Sequence, residues 1–125
     1  MKIAQDAGAS GNRFTGYGEG YVEVNRDRHT SSVIVSGESV MPWSARSPGD
    51  LSREDVRPLA DMAPEVVLIG TGASLVFPDP AALADLHAAR IGVEVMDTRA
   101  ACRTYNILMA EGRKVAAALI VEANA

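Results

Sequence analysis

The sequence holds one cysteine, Cys102, and two histidines, His29 and His87. A single thiol excludes an intrachain disulfide, and so few soft ligands leave no cluster with metal-ligand spacing. Neither a metal nor a cofactor is expected. Long hydrophobic runs are missing as well: the longest, Val115 to Val121, falls far short of the ~18 residues that cross a bilayer. The opening stretch MKIAQDAGASGNRF has no apolar core of the secretory kind. Membrane insertion is therefore not expected, and the cytoplasm is the expected location. Positive charge is scarce too. Twelve Lys and Arg against sixteen Asp and Glu leave a net charge of -4, which argues against nucleic acid as a partner. No Ser or Thr stands beside an identifiable base and orienting group, so no residue is assigned as catalytic.

What is present fits one domain. A chain of 125 residues buries about two-thirds of the surface its unfolded form exposes, enough for a core without staples. Residues 1–14, rich in Gly, Ala and small polar residues, are expected to be a mobile tail, and residues 15–125 a single α/β domain. Val22 and Val24 alternate with polar neighbours, Asn25 to Arg28 break the pattern and Val33-Ile34-Val35 resumes it. This predicts a β-hairpin with a polar tip. Ser39 to Trp43 predicts a short strand ended near Pro42. Ser52 with Asp55 three residues on, and Leu51 with Val56, mark a capped and stapled helix start. Pro58 shortens or kinks that helix, and it ends by Pro64. Val66 to Ile69 predicts a strand buried on both faces, followed by a glycine loop.

Asp79 and Pro80 then open a second helix that Gly92 is expected to close. Val93 and Val95 predict a strand ending at Asp97, with a third helix from a Thr98 cap through Glu111. Gly112 stops that helix before a final strand, Val115 to Val121. The alternation implies parallel crossovers. The expected fold class is α/β: a central mixed β-sheet with flanking helices and an N-terminal β-hairpin extension.

The third helix breaks a local rule. Arg99 and Arg103 lie in its first turns, where the helix dipole favours anions by a few tenths to about 1 kcal/mol per charge. Two explanations stand. The arginines pair with Asp97, Glu94, Glu54 or Asp55, or they join Thr98 and the helix amides in a corner for a small anion at the carboxyl end of a strand. Asn106 shares their stripe. The loop Gly70, Thr71, Gly72 and Ser74 reaches the same sheet edge, either as an anion nest or as a tight turn beside Trp43 or the third helix. Trp43 and Tyr105 are candidate pocket-lining residues, with core packing the preferred role for both. Cys102 is expected to be a small core residue.

The segments Glu65 to Gly72, Val93 to Thr98, Ala101 to Asn106 and Glu111 to Leu119, in this order, resemble a widespread family of small domains of unknown function. Its eukaryotic relatives include the mitochondrial respiratory complex I assembly factor 3 and an adipogenesis-associated domain protein. The resemblance implies a compact mixed-sheet α/β fold. It also implies work through protein contacts, since the mitochondrial relative binds other proteins during assembly of a membrane complex. The expected function is thus a non-enzymatic assembly or accessory factor with a protein partner. The alternative is a binder of a small anionic ligand, or an enzyme, at the carboxyl edge of the sheet.

Overall fold

Two sheets of unequal size divide the strands. The computed structural model describes residues 11–122. Strands β1 (Phe14–Gly18), β2 (Tyr21–Val24) and β3 (Asp27–His29) form an antiparallel meander. Strands β4 (Val33–Ser36), β5 (Val40–Pro42), β6 (Val66–Gly70), β7 (Gly92–Met96) and β8 (Val115–Leu119) form a mixed sheet in the order β5-β4-β8-β6-β7. Within it β6 runs parallel to β7 and β8, whereas β4 is antiparallel to β5 and β8. Helices α1 (Arg53–Met62), α2 (Ala84–Ala88) and α3 (Thr98–Ala110) supply the connections. The expected α/β class with a mixed central sheet is what the structure has.

The five-stranded sheet buries both faces. Ile34, Val67, Ile69, Ala116 and Ala118 point toward α1 and α2, where they meet Val56, Leu59, Leu86 and Trp43. Their neighbours Val33, Val35, Leu68, Ala117 and Leu119 point the other way, onto α3 and the small sheet, where Ala101, Cys102, Tyr105, Phe14 and Val22 wait. Successive strand residues alternate faces, so a strand covered on both sides must be apolar throughout. This is why β6 reads VVLI.

The local signals fare unevenly. Ser52 and Asp55 do form a capping box on α1, and Leu51 and Val56 are buried in one cluster. Pro58 sits inside α1 without ending it, and Ala63 closes the helix in the left-handed region. The hairpin differs from expectation. Asn25 and Arg26, at φ 51° and 73°, make a two-residue turn, so the return strand is the charged β3 and not Val33 to Val35. Asp27 and Arg28 of the expected tip are already strand at the small sheet's rim, while β4, with Val33 to Val35 buried, belongs to the large sheet. The second helix begins as a 3-10 turn over Pro80–Leu83. It ends at Ala88, and Arg90, at φ 61° just past the Ala89 cap, turns the chain, whereas Gly92 opens β7. Hydrogen bonds from Arg90 N–H to His87 and from Ile91 N–H to Leu86 close that end.

Residues 1–10 of the expected tail lie outside the described residues. Its last positions are bound to the fold. Asn12 donates through its backbone to Gly37 and through its side chain to Ser36, and Phe14 is 5% exposed. The Asn106 side chain accepts from the Phe14 N–H at 2.9 Å and donates to the Phe14 carbonyl at 2.8 Å. One amide group thereby imitates a neighbouring strand and caps the rim of β1.

Two stability outcomes follow from these contacts. Asn106→Ala removes both bonds to Phe14 and leaves partly buried backbone groups unpaired, so urea unfolding should show a loss of about 2 kcal/mol. For Asp55, partial burial pushes the carboxyl up, and hydrogen bonds from Ser44 and Ser52 outweigh that and hold it below its ordinary value. A group depressed in the folded state stabilises above its unfolded pKa, near ~3.9, and loses that contribution as pH falls through the folded value. Asp55→Asn should therefore flatten the acid limb of the stability profile below about pH 4, measured by thermal melts across pH.

Candidate functional site

The carboxyl ends of β6, β7 and β8 meet the first turn of α3. The connection after β6 passes over the α1/α2 face and the one after β7 over the opposite face, so adjacent strands part here, the usual place for a ligand crevice in open α/β sheets. In this chain hydrogen bonds tie the parted segments to one another. Thr71 N–H donates to Met96 at 2.9 Å, Thr98 N–H to Gly72 at 3.0 Å and Ile120 N–H to Gly70 at 2.8 Å. The Thr98 hydroxyl accepts from Gly72 N–H and donates to the Ile120 carbonyl, both at 2.8 Å. Thr98 is 7% exposed.

The glycines serve these ties. A Cβ on Gly70 would lie 2.7 Å from Leu119 Cδ2 and 3.0 Å from Thr98 Cα, so only glycine lets the helix start so close to β6. Gly72 adopts φ +96°, and a Cβ there would collide with the Glu122 carboxylate. That carboxylate accepts from Ala73 N–H at 3.1 Å. The Ala73 amide is thereby engaged within the chain. Thr71 and Ser74 bond to each other: the Thr71 hydroxyl donates to the Ser74 carbonyl at 2.6 Å and accepts from Val76 N–H. The expected tight turn against the third helix is the arrangement found, and Trp43 takes no part in it.

Asp97, not Thr98, is the cap of α3, accepting from Ala100 N–H at 2.9 Å. Its carboxylate supplies the negative charge that Arg99 and Arg103 lack for the helix dipole. Neither arginine forms an ion pair among the described residues, where the pairs are Arg53 with Asp85 and Arg113 with Glu65. The expected network with Asp97, Glu94, Glu54 or Asp55 is absent there. Arg103 instead donates to the Tyr17 hydroxyl at 2.9 Å. That bond, with a smaller contribution from Asp97, holds the guanidinium above its ordinary value. Arg99 is exposed. It lines a pocket of about 240 Å³ together with Tyr17, Tyr21, Glu19, Thr98 and Glu122. A small-molecule site commonly encloses about 300–1,000 Å³, and the lining here includes Glu19 and Glu122 as well as Arg99.

The other candidates are structural. Trp43 is 6% exposed on the α1 face, with Nε1 donating to the Asp55 carbonyl at 2.8 Å. Tyr105 is fully buried on the opposite face, with its hydroxyl donating to the Asn12 carbonyl at 2.8 Å. The two never share a pocket. Burial pushes the Cys102 thiol up to about 12. Sequence reasoning missed Glu122, since nothing local to the end of the last strand points back to a loop 49 residues away. It also passed over Leu75-Val76-Phe77, which are 50%, 39% and 73% exposed. Three consecutive apolar residues bounded by Ser74 and Pro78, with no strand to bury them, were the available signal.

Comparison with other proteins places the whole fold. A signature for proteins of unknown function, DUF498/DUF598, matches residues 14–120. NADH dehydrogenase (ubiquinone) 1 alpha subcomplex assembly factor 3 of Xenopus tropicalis is 32% identical over 104 residues, 82% of this chain and 56% of that one. The chain thus spans little more than half of that relative. A crystal structure of a Bordetella parapertussis protein is 42% identical with a TM-score of 0.86, covering 91% of this chain and 98% of its own. A solution structure of a Bordetella pertussis protein, a Mth938-like domain, is 35% identical with a TM-score of 0.84, covering 100% and 95%.

Gly72→Ala should cost about 1–3 kcal/mol in chemical unfolding, and less in a Glu122→Ala background, where the collision is removed and the positive φ alone remains. The Cys102 thiol should resist iodoacetamide at pH 8 in the native protein and react promptly in guanidinium, as read by mass spectrometry.

Proposed function

Because the chain belongs to the family of proteins of unknown function DUF498/DUF598, we propose that it is a non-enzymatic cytoplasmic protein that acts through protein contacts, as an assembly or accessory factor. The observation that carries this reading is a contrast between two loop segments in one stretch of chain. The polar groups of Gly70 to Ser74 are spent on holding the fold together. The next residues, Leu75 to Phe77, turn apolar side chains into solvent. Exposed apolar surface of this kind marks contact with another macromolecule. The assembly factor among the relatives supports the same direction. No helix among the described residues is long and apolar enough to cross a membrane, and no group of three or more His, Cys, Asp or Glu there is placed to hold a metal.

A second reading, a binder of a small anion, rests on Arg99, which faces the pocket without an ion pair among the described residues. Thermal melts with phosphate and citrate, compared between wild type and Arg99→Ala, test it: an anion-dependent rise lost in the variant supports it.

For the leading reading, native affinity capture from source cells followed by size exclusion should give a stoichiometric complex that dissociates when Leu75 and Phe77 are both replaced by Ser. A chain that elutes only as a monomer while turning over a small metabolite would refute it.

A further inference from the structure

Every sheet has two edges, and three of the four here are blunted. β5 has three residues and ends in Pro42. β1 has its Phe14 N–H and carbonyl taken by Asn106. β3 is a three-residue strand of Asp27, Arg28 and His29. Short strands, proline, charge and side-chain cover are the usual devices against unwanted strand pairing.

The fourth edge, β7, is different. Gly92 N–H donates to Glu65, and the Met96 carbonyl accepts from Thr71. The backbone groups of Gly92, Glu94 and Met96 therefore face β6. Neighbouring residues of a strand turn their backbone groups to opposite edges. Val93 and Val95 consequently present their N–H and carbonyl groups away from the sheet, and these have no partner among the described residues. Their side chains pack on the α1/α2 face. Glu94, between them, is exposed on the other face. The loop that follows β6 is tied to the carboxyl end of β7 by the bond from Thr71 to Met96, and it carries the exposed apolar run Leu75 to Phe77.

We propose that β7 is a docking edge for an extended segment of a partner protein, with a Lys or Arg facing Glu94 and apolar residues on either side of it. The inference rests on the protein-contact reading and names its surface. Charge selects the occupant. A second copy of this chain that used all four outward groups would pair antiparallel about Glu94. Val93 would then face Val95 of the copy, and the two Glu94 carboxylates would stand opposite each other at a Cα separation of about 4.5 Å. Like charges directly opposite destabilise a strand pair, whereas a basic residue there stabilises it. The apolar flanks would cover Val93 and Val95.

Two blocked peptides provide the test, Thr-Val-Lys-Val-Thr-Ile and the same sequence with Glu for Lys, titrated to millimolar concentration into labelled protein and followed by amide NMR. The lysine peptide should slow exchange of the Val93 and Val95 amides and bind about fivefold or more tightly than the glutamate peptide. Glu94→Lys should invert that preference. Val95→Pro removes an outward N–H but no bond to β6, so it should abolish binding of both peptides, with retained protection of the Val67 amide reporting the fold. The proposal is overturned if neither peptide affects Val93 and Val95, if the two bind equally, or if those amides become protected with rising protein concentration alone, which would mean a second copy fills the edge. A Val95→Pro protein that still captures its cellular partner would overturn the edge while leaving the protein-contact reading intact.

Discussion

A single buried hydroxyl joins three segments of this molecule that lie well apart in sequence. Thr98 stands at the first turn of α3, takes the Gly72 N–H and gives its proton to the Ile120 carbonyl. Three chain segments, after β6, after β7 and after β8, are thereby held at one point. A hydrogen bond of this kind is worth only about 1 kcal/mol net, yet leaving either partner unpaired in a buried place costs more than making the bond gains. The glycine at position 70 exists to let that approach happen, since any side chain there would strike Leu119 and Thr98. The place where many α/β proteins admit a ligand is here used to lock the sheet.

From that lock α3 reaches outward to hold the N-terminal sheet. Arg103 bonds Tyr17, Tyr105 bonds Asn12, and Asn106 brackets Phe14. The ring of Phe14 meets that of Tyr105 edge-on at 5.1 Å. Polar residues that looked available for a ligand are tethers between layers. The arginines that oppose the helix dipole are tolerated because Asp97 supplies the favourable charge at the cap and because Tyr17 engages Arg103. What remains outward-facing includes the outer edge of β7, the exposed side chains of Leu75 to Phe77 and the pocket at Arg99.

Legibility in the sequence followed the range of the interactions. The capping box at Ser52 and Asp55, the stop at Gly112, the doubly buried β6 and the mixed α/β class were readable because each depends on neighbours within a few residues or on simple periodicity. The return strand of the hairpin was not, since Asp27 to His29 carry no apolar pattern and are strand only because a two-residue turn folds them back on β2. The end of α2 was misplaced because Arg90, an unusual residue for a positive φ, takes the role that glycine normally fills.

By itself, then, the sequence determined the order of the helices and of the large sheet's strands, the apolar strands and the clustering of Gly70 to Ser74, Thr98, Arg99, Arg103 and Asn106 toward one end of the sheet. Only the tertiary structure decided what those groups do. Each has several hydrogen-bonding options, and which is taken depends on distant residues, Glu122, Ile120, Tyr17 and Phe14, whose approach is set by how the sheet and α3 pack. Periodicity encodes which face of an element is buried, but a polar side chain's partner is fixed in three dimensions, so Thr98, Arg103 and Asn106 are engaged within the fold while Arg99 stays exposed at the pocket beside them.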